Sequence, residues 1–216
     1  MLDARDTALQ SACPTVAMPR FGPAPEIAPG QRVLVAANGL FLQVKTAWLE
    51  CQIRIGNIDI PLHYGQAQPF IHCAFGKIPQ QPLREFVHWA REALPNEVAG
   101  GLAYSTGDGA LRLVRFEPLS QSPHHVAYRI PPLRTDEVLA MDLHSHGHDA
   151  AFFSATDDAD DMGIKIAGVF GHLDRAAPSS RFRLVAGQLK LDLPSPQDQF
   201  SPAGGSSWNI VSTRRC

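Results

Sequence analysis

Nowhere in this sequence do two cysteines stand close enough to work as a pair. Cys13, Cys51, Cys73 and Cys216 are scattered and form no CxxC motif. That spacing argues against a disulfide framework or a cysteine zinc site, and leaves free thiols in a reducing compartment as the expectation. Long apolar runs are also missing: none approaches the ~18 to 20 residues that a bilayer-crossing helix needs. The opening stretch, MLDARDTALQSACP, mixes charges of both signs and has no apolar centre, unlike a secretory signal. The expectation is a cytoplasmic protein with no membrane partner. No cluster of Lys and Arg exists either, and the net charge is −2. Nucleic-acid backbone affinity requires a basic face, so a nucleic acid is not expected as the main partner.

What is present is ordinary globular material, with 44% hydrophobic and 19% charged residues. This composition excludes disorder of the whole chain. The length of 216 residues suffices for one domain of about 120 to 150 residues with a smaller attached unit. Residues 1–30 contain five prolines and no sustained period, and they read as an extended or mobile leader. The segments RVLVA, GLFLQVK, CQIRI and NIDIPL, between Arg32 and Leu62, read as a small antiparallel sheet with a hairpin signal at Asn38-Gly39. Residues 63–81 are rich in Pro, Gly and Gln and read as the connection to the next unit. The expected organisation is a β-rich N-terminal unit over 1–80, a main domain over 81–195 and a flexible tail over 196–216. In that tail, Trp208 to Val211 is a candidate docking segment.

Residues 82–94, PLREFVHWAREAL, place Leu83, Phe86, Val87, Ala90 and Leu94 on one helical stripe. Pro82 suits the first turn of this helix, and Pro95 ends it. Strand-like segments follow at 97–104, 110–116, 125–130 and 137–146. A short helix is expected over 156–163, a buried strand over 164–173 and a hairpin over 181–193. Gly100 and Gly101 interrupt the first of these strands, which suggests close backbone approach beside a site.

The chemistry concentrates in MDLHSHGHDAAFFSATDDADD. On a strand, residues two apart share a face, so His144 and His146 present their imidazoles together. Two neutral imidazoles suit a borderline-soft divalent ion such as Zn2+, and a third ligand must come from another element. Asp157, at the start of the expected short helix, supplies it. Two imidazoles and a carboxylate with one open position describe a catalytic zinc rather than a structural one.

His144, Ser145 and His146, followed by seven residues, Ser154, two residues and Asp157, resemble the signature of the JAMM (MPN-plus, JAB domain) metalloproteases. The resemblance covers roughly residues 82–193. It implies an α/β (α+β) fold of the JAMM/cytidine-deaminase-like kind, a mixed sheet flanked by helices. It also implies an upstream catalytic glutamate, which PNEVAGGL supplies as Glu97, and an oxyanion-binding role for Ser154. In detail, HSHG…AFFSATDDADD is similar to the PRTRC system protein A group, bacterial proteins of a mobile-element cassette. The expected substrate is then a ubiquitin-like protein or its conjugate. The expected partners are the ubiquitin-activating-like and ubiquitin-conjugating-like proteins of the same cassette. Many JAMM proteins have proline after the second histidine, where this chain has Gly147; proline there shapes a loop and ligates nothing.

Plainer readings stand beside these. Ser-x-x-Asp at a helix start is also a capping box, so Ser154 has a structural role open to it. His148 and Asp149 reverse the order of a metallo-β-lactamase motif, and His148 reads as a loop or supporting residue. Asp158, Asp160 and Asp161 read as a solvated acidic face suited to a helix N-terminus. The rival functions are a non-catalytic MPN scaffold and a metallopeptidase acting on small peptides.

Overall fold

The structure is a computed structural model describing residues 3–196. The described residues fall into two compact units, one up to Gly76 and one from Lys77 onward. Cys216, the segment Trp208 to Val211 and all of the proposed tail beyond Pro196 lie outside the described residues.

The first unit is a five-stranded sheet in sequential order: β1 (Thr15–Ala17), β2 (Gly30–Ala36), β3 (Gly39–Lys45), β4 (Leu49–Gly56) and β5 (Phe70–Cys73). Leu34, Ala36, Phe41 and Ala67 form a core cluster in it. β2 and β3 are joined by a tight turn at Ala37-Asn38, one residue earlier than the Asn-Gly signal, with Ala36 opposite Gly39. Asn38 does more than turn the chain. Its side chain both donates to the Ala67 carbonyl and accepts from the Ala67 amide, tying in the distant loop.

The leader is not extended throughout. Asp3 caps a helix, α1 (Ala4–Ala12), by accepting from the Arg5 amide at 2.8 Å, and β1 then pairs parallel to β2. α1 buries none of its residues, so it carries no apolar stripe by which a pattern search could find it. NIDIPL forms no strand, and Pro61 has no amide to give a ladder. Phe70–Cys73, from the stretch read as a connection, takes the place beside β4 instead.

The second unit is a six-stranded mixed sheet in the order β13-β12-β11-β10-β6-β7. Its strands are β6 (Ala99–Ser105), β7 (Leu111–Arg115), β10 (Glu137–Ser145), β11 (Ile164–Gly171), β12 (Ser179–Ala186) and β13 (Leu189–Leu193). All neighbours are antiparallel except β10 and β11, which run parallel from Met141 opposite Ile166 to Ser145 opposite Phe170. This is the expected α+β class. α2 (Gln80–Glu92) buries Leu83, Phe86 and Ala90 of its expected stripe, together with Pro82, while Val87 and Leu94 are only half-buried and Leu94 lies past the helix end. Phe86 packs against Phe170, with ring centroids 5.4 Å apart. The parallel crossover from β10 to β11 contains the short helix α3 (Ala155–Asp160).

A separate hairpin, β8 (Glu117–Ser122) with β9 (His125–Arg129), forms its own two-stranded sheet. β8 has no apolar alternation and is exposed for most of its length, so only its pairing makes it a strand. Gly100 and Gly101 do not interrupt β6, and the close approaches they allow are to the core. A Cβ on Gly100 would lie 2.9 Å from the Val114 carbonyl and 3.2 Å from the Trp89 ring; on Gly101 it would meet Leu139 and the Met141 carbonyl at 2.6 Å.

Candidate metal centre

β10 alternates as its sequence requires. Leu143 and Ser145 are fully buried on one side, while Asp142 and His144 point to the other, with His146 one step past the strand end. The His146 amide donates to the Phe170 carbonyl at 2.8 Å, which extends the β11 pairing through the second histidine. Both imidazoles are thereby held by backbone, and their Nε2 atoms lie 3.2 Å apart.

Asp157 arrives from α3. Ser154 adopts an extended conformation as N-cap, its Oγ accepts from the Asp157 amide at 3.2 Å, and its own amide donates to Asp157 Oδ2 at 2.6 Å. The Ser154 hydroxyl also donates to Oδ2, at 2.7 Å. The capping-box reading is therefore realised in full. It divides the carboxylate: Oδ2 serves the cap, while Oδ1 faces His144 Nε2 at 3.2 Å.

These three residues form a group able to hold a metal ion, with their donor atoms within 4.8 Å of one another. Two of the three donor separations match those of a zinc site. Two bonds of about 2.0–2.1 Å meeting at the tetrahedral angle separate their ligand atoms by roughly 3.3–3.4 Å, and both separations given above are 3.2 Å. Protonation fits as well. Burial, opposed by the Asp157 charge, pushes the His144 and His146 pKa values below the usual imidazole value, so both rings are neutral at pH 7 with a lone pair to give. Burial pushes the Asp157 carboxyl the other way. His144, the Ser154 hydrogen bonds and His146 outweigh it and leave the carboxyl below its ordinary value.

Glu97 lies two residues before β6, with only 8% of its surface exposed. Its amide donates to the Ser122 carbonyl at the tip of the β8–β9 hairpin, at 2.9 Å. Burial, together with the charges of Asp157 and Asp149, raises its pKa to about 7. Glu97, His144, His146, Ser154 and Asp157 all line one cavity of about 220 Å³. Phe152 packs edge-on against the His146 ring and contributes an apolar, half-exposed wall. A roomier groove of about 370 Å³ lies between α2 and β11–β12, but it has no carboxylate in its lining and no convergent donor set.

Two neighbours differ from their sequence reading. Asp160 is exposed and Asp158 half-exposed, as read, but Asp158 also pairs with Arg183, and Asp161 is buried, bound to Arg183 and to Lys165 at 2.8 Å. Their partners come from β11 and β12, distant in sequence, so the acidic run alone could not reveal them. His148 is a loop residue, as expected, exposed and facing Asp174 at 3.8 Å rather than the histidine pair. The Asp142–Lys165 pair at 2.9 Å and the Tyr128 hydroxyl that donates to Asp142 also line the cavity. No motif marked them. The one available signal was that Asp142 shares the strand face of His144.

Residues 79–185 match the family described as prokaryotic homologs of the JAB domain, and this part of the chain is a domain of that kind. Residues 3–73 match a domain of unknown function, DUF2016. Among curated proteins none matches the sequence. Among solved structures, the chain is similar to the solution structure of protein DSY2949 from Desulfitobacterium hafniense, with 22% identity and a TM-score of 0.42 over 53% of this chain and 86% of that one. No helix among the described residues is long and apolar enough to cross a membrane.

Proposed function

We propose that the second unit is a zinc-dependent hydrolase of peptide or isopeptide bonds. The supporting observation is the convergence of two neutral imidazoles, one ionised carboxylate and a glutamate titrating near neutrality on one cavity. His144, His146 and Asp157 would hold the metal, and Zn2+ bound there would supply the Lewis acidity to activate water and polarise a carbonyl. Glu97 takes a proton from the attacking water and returns it to the leaving amine. A pKa of about 7 suits both halves of that transfer at neutral pH. Ser154 donates a hydrogen bond to the developing oxyanion by turning its hydroxyl away from Asp157 Oδ2, which the Ser154 amide continues to hold. One such donor is worth on the order of 3 kcal/mol.

As substrate class we propose a ubiquitin-like protein or its conjugate, cut after an extended C-terminal tail. The first unit then serves to engage protein partners, with ubiquitin-activating-like and ubiquitin-conjugating-like proteins as the proposed class. These assignments rest on the sequence resemblance and on the JAB-type domain. The test is metal analysis of the purified protein, followed by cleavage assays on ubiquitin-like fusions and short peptides. Glu97→Ala should keep stoichiometric zinc and lose hydrolysis, and Asp157→Ala should lose both. Wild-type protein without bound metal, or with metal and no hydrolysis of either substrate, favours a non-catalytic scaffold.

A further inference from the structure

On general grounds α3 is a poor support for a rigid ligand. It has six residues and buries none of them. Helices this short are unstable alone and are normally fixed by an apolar face. Something else must hold Asp157 in register with the histidines.

That attachment is ionic and centres on one side chain. Arg183 lies on β12 with only 4% of its surface exposed. Opposite it on β11 stands Ala167, whose small side chain leaves room for the guanidinium to cross the sheet face. Arg183 Nε and Nη2 donate to Asp161 Oδ2 at 2.8 and 2.6 Å, and Nη1 donates to Asp158 Oδ1 at 2.5 Å. The same guanidinium lies over the Phe153 ring, 3.8 Å from its centroid. Arg183 therefore touches the residue before the Ser154 cap, the residue after Asp157, and the residue that closes the helix. Lys190 and Lys165 add weaker support, through the Asp158 carbonyl at 2.7 Å and Asp161 Oδ1 at 2.8 Å. A lysine in place of Arg183 could not grip both carboxylates in this forked fashion.

We infer that Arg183 is the positioning residue of the metal centre. It fixes segment 153–161 and thereby sets where Asp157 Oδ1 lies relative to His144 and His146. This rests on the reading that those three residues bind metal. Removing partners that orient metal ligands lowers affinity by about 10- to 100-fold.

The experiment measures zinc and cobalt(II) affinity of the full chain by competition with a chromophoric chelator, with the cobalt absorption spectrum recorded alongside thermal unfolding. Arg183→Met should weaken both metals about ten-fold or more and alter the cobalt spectrum, with Arg183→Lys restoring only part of the loss. Phe182→Leu, on the opposite face of the same strand, should lower the unfolding temperature without moving affinity or spectrum. Wild-type affinity and spectrum in Arg183→Met overturn the inference while leaving the metal site intact. Failure of the unsubstituted chain to bind either metal overturns the site itself and the inference with it. If Arg183→Met does not fold, Asp158→Asn, whose side chain is half exposed, decides the matter. A several-fold loss of affinity supports the inference, and an unchanged affinity overturns it.

Discussion

Ser145 and Val98 are joined by a reciprocal pair of hydrogen bonds. The Ser145 amide donates to the Val98 carbonyl at 3.0 Å, and the Val98 amide donates to Ser145 Oγ at 2.9 Å. Ser145 is the residue between the two histidines and is fully buried; Val98 directly follows Glu97. The pair fastens the segment of the proposed base to the strand that carries the proposed ligands, through one backbone bond and one bond to the Ser145 hydroxyl. Ser145→Ala leaves a buried amide without a partner, at a cost of about 1–3 kcal/mol. The expected result is a lower unfolding temperature and a slower hydrolytic rate with stoichiometric zinc retained. Metal content unchanged together with an unchanged rate would show that the Glu97 segment is held by other contacts.

Glu137 gives the second unit an acid-sensitive anchor. It accepts from Arg112 Nε at 2.8 Å, from Arg112 Nη2 at 2.7 Å and from the Arg134 amide at 3.0 Å. The Arg112 hydrogen bonds, followed by the Arg134 amide, lower its pKa to about 2. A folded-state value below the unfolded one means the unfolded chain binds more protons between the two values. Stability from this group is therefore complete above about pH 4.5 and is lost as pH falls towards 2. In denaturant titrations across that window, Glu137→Gln should start less stable than wild type at pH 6 and lose less on acidification. Parallel curves for the two proteins would remove Glu137 from the account.

The histidine pair, the Ser154 cap and Asp157 were legible because each obeys a local rule: alternation along a strand, or side chain to backbone bonding within one turn. Glu97 was legible only through the resemblance, since nothing local separates it from a surface acid. Arg183 and the burial of Asp161 were invisible, because their meaning lies in a partner 22 residues away. Two of the elements missed have little buried surface, whereas β5 buries Ile71 and Cys73 but is only four residues long and lies in a Pro/Gly/Gln-rich stretch. α1 has no buried residue, and β8 is exposed from Glu117 to Gln121.

Gly147 sits where many JAMM proteins have proline, and the structure shows why this chain could not. Its φ is +50°, whereas proline is locked near −65°. A Cβ there would also lie 3.1 Å from the Pro95 carbonyl oxygen. Gly147→Ala should cost about 1–2 kcal/mol for the left-handed backbone. Gly147→Pro should cost more and displace the loop between His146 and Phe152, lowering zinc affinity as well as stability. Wild-type stability in Gly147→Pro would mean the loop can adopt the proline-bearing path.

The first unit offers a test independent of the metal. Arg32, Gln43 and Gln52 are directly opposite one another on β2, β3 and β4, and all three are buried. Arg32 Nε donates to Gln43 Oε1 at 2.5 Å, Gln43 Nε2 to Gln52 Oε1 at 2.6 Å, and Gln52 Nε2 to the Gln68 carbonyl at 2.6 Å. The outer end of the chain is closed by the Pro25 carbonyl, which accepts from Arg32 Nη2 at 2.5 Å. Each member is satisfied by the next, so the middle residue matters most. Gln43→Ala strands a buried guanidinium N–H on one side and an amide oxygen on the other, at an expected cost of about 2–4 kcal/mol. Gln52→Ala frees only one side-chain partner, the Gln43 amide, besides the Gln68 carbonyl, and should cost less. Urea unfolding of the two variants checks this order. Equal costs would show that water or loop rearrangement satisfies the ends of the ladder as readily as its centre.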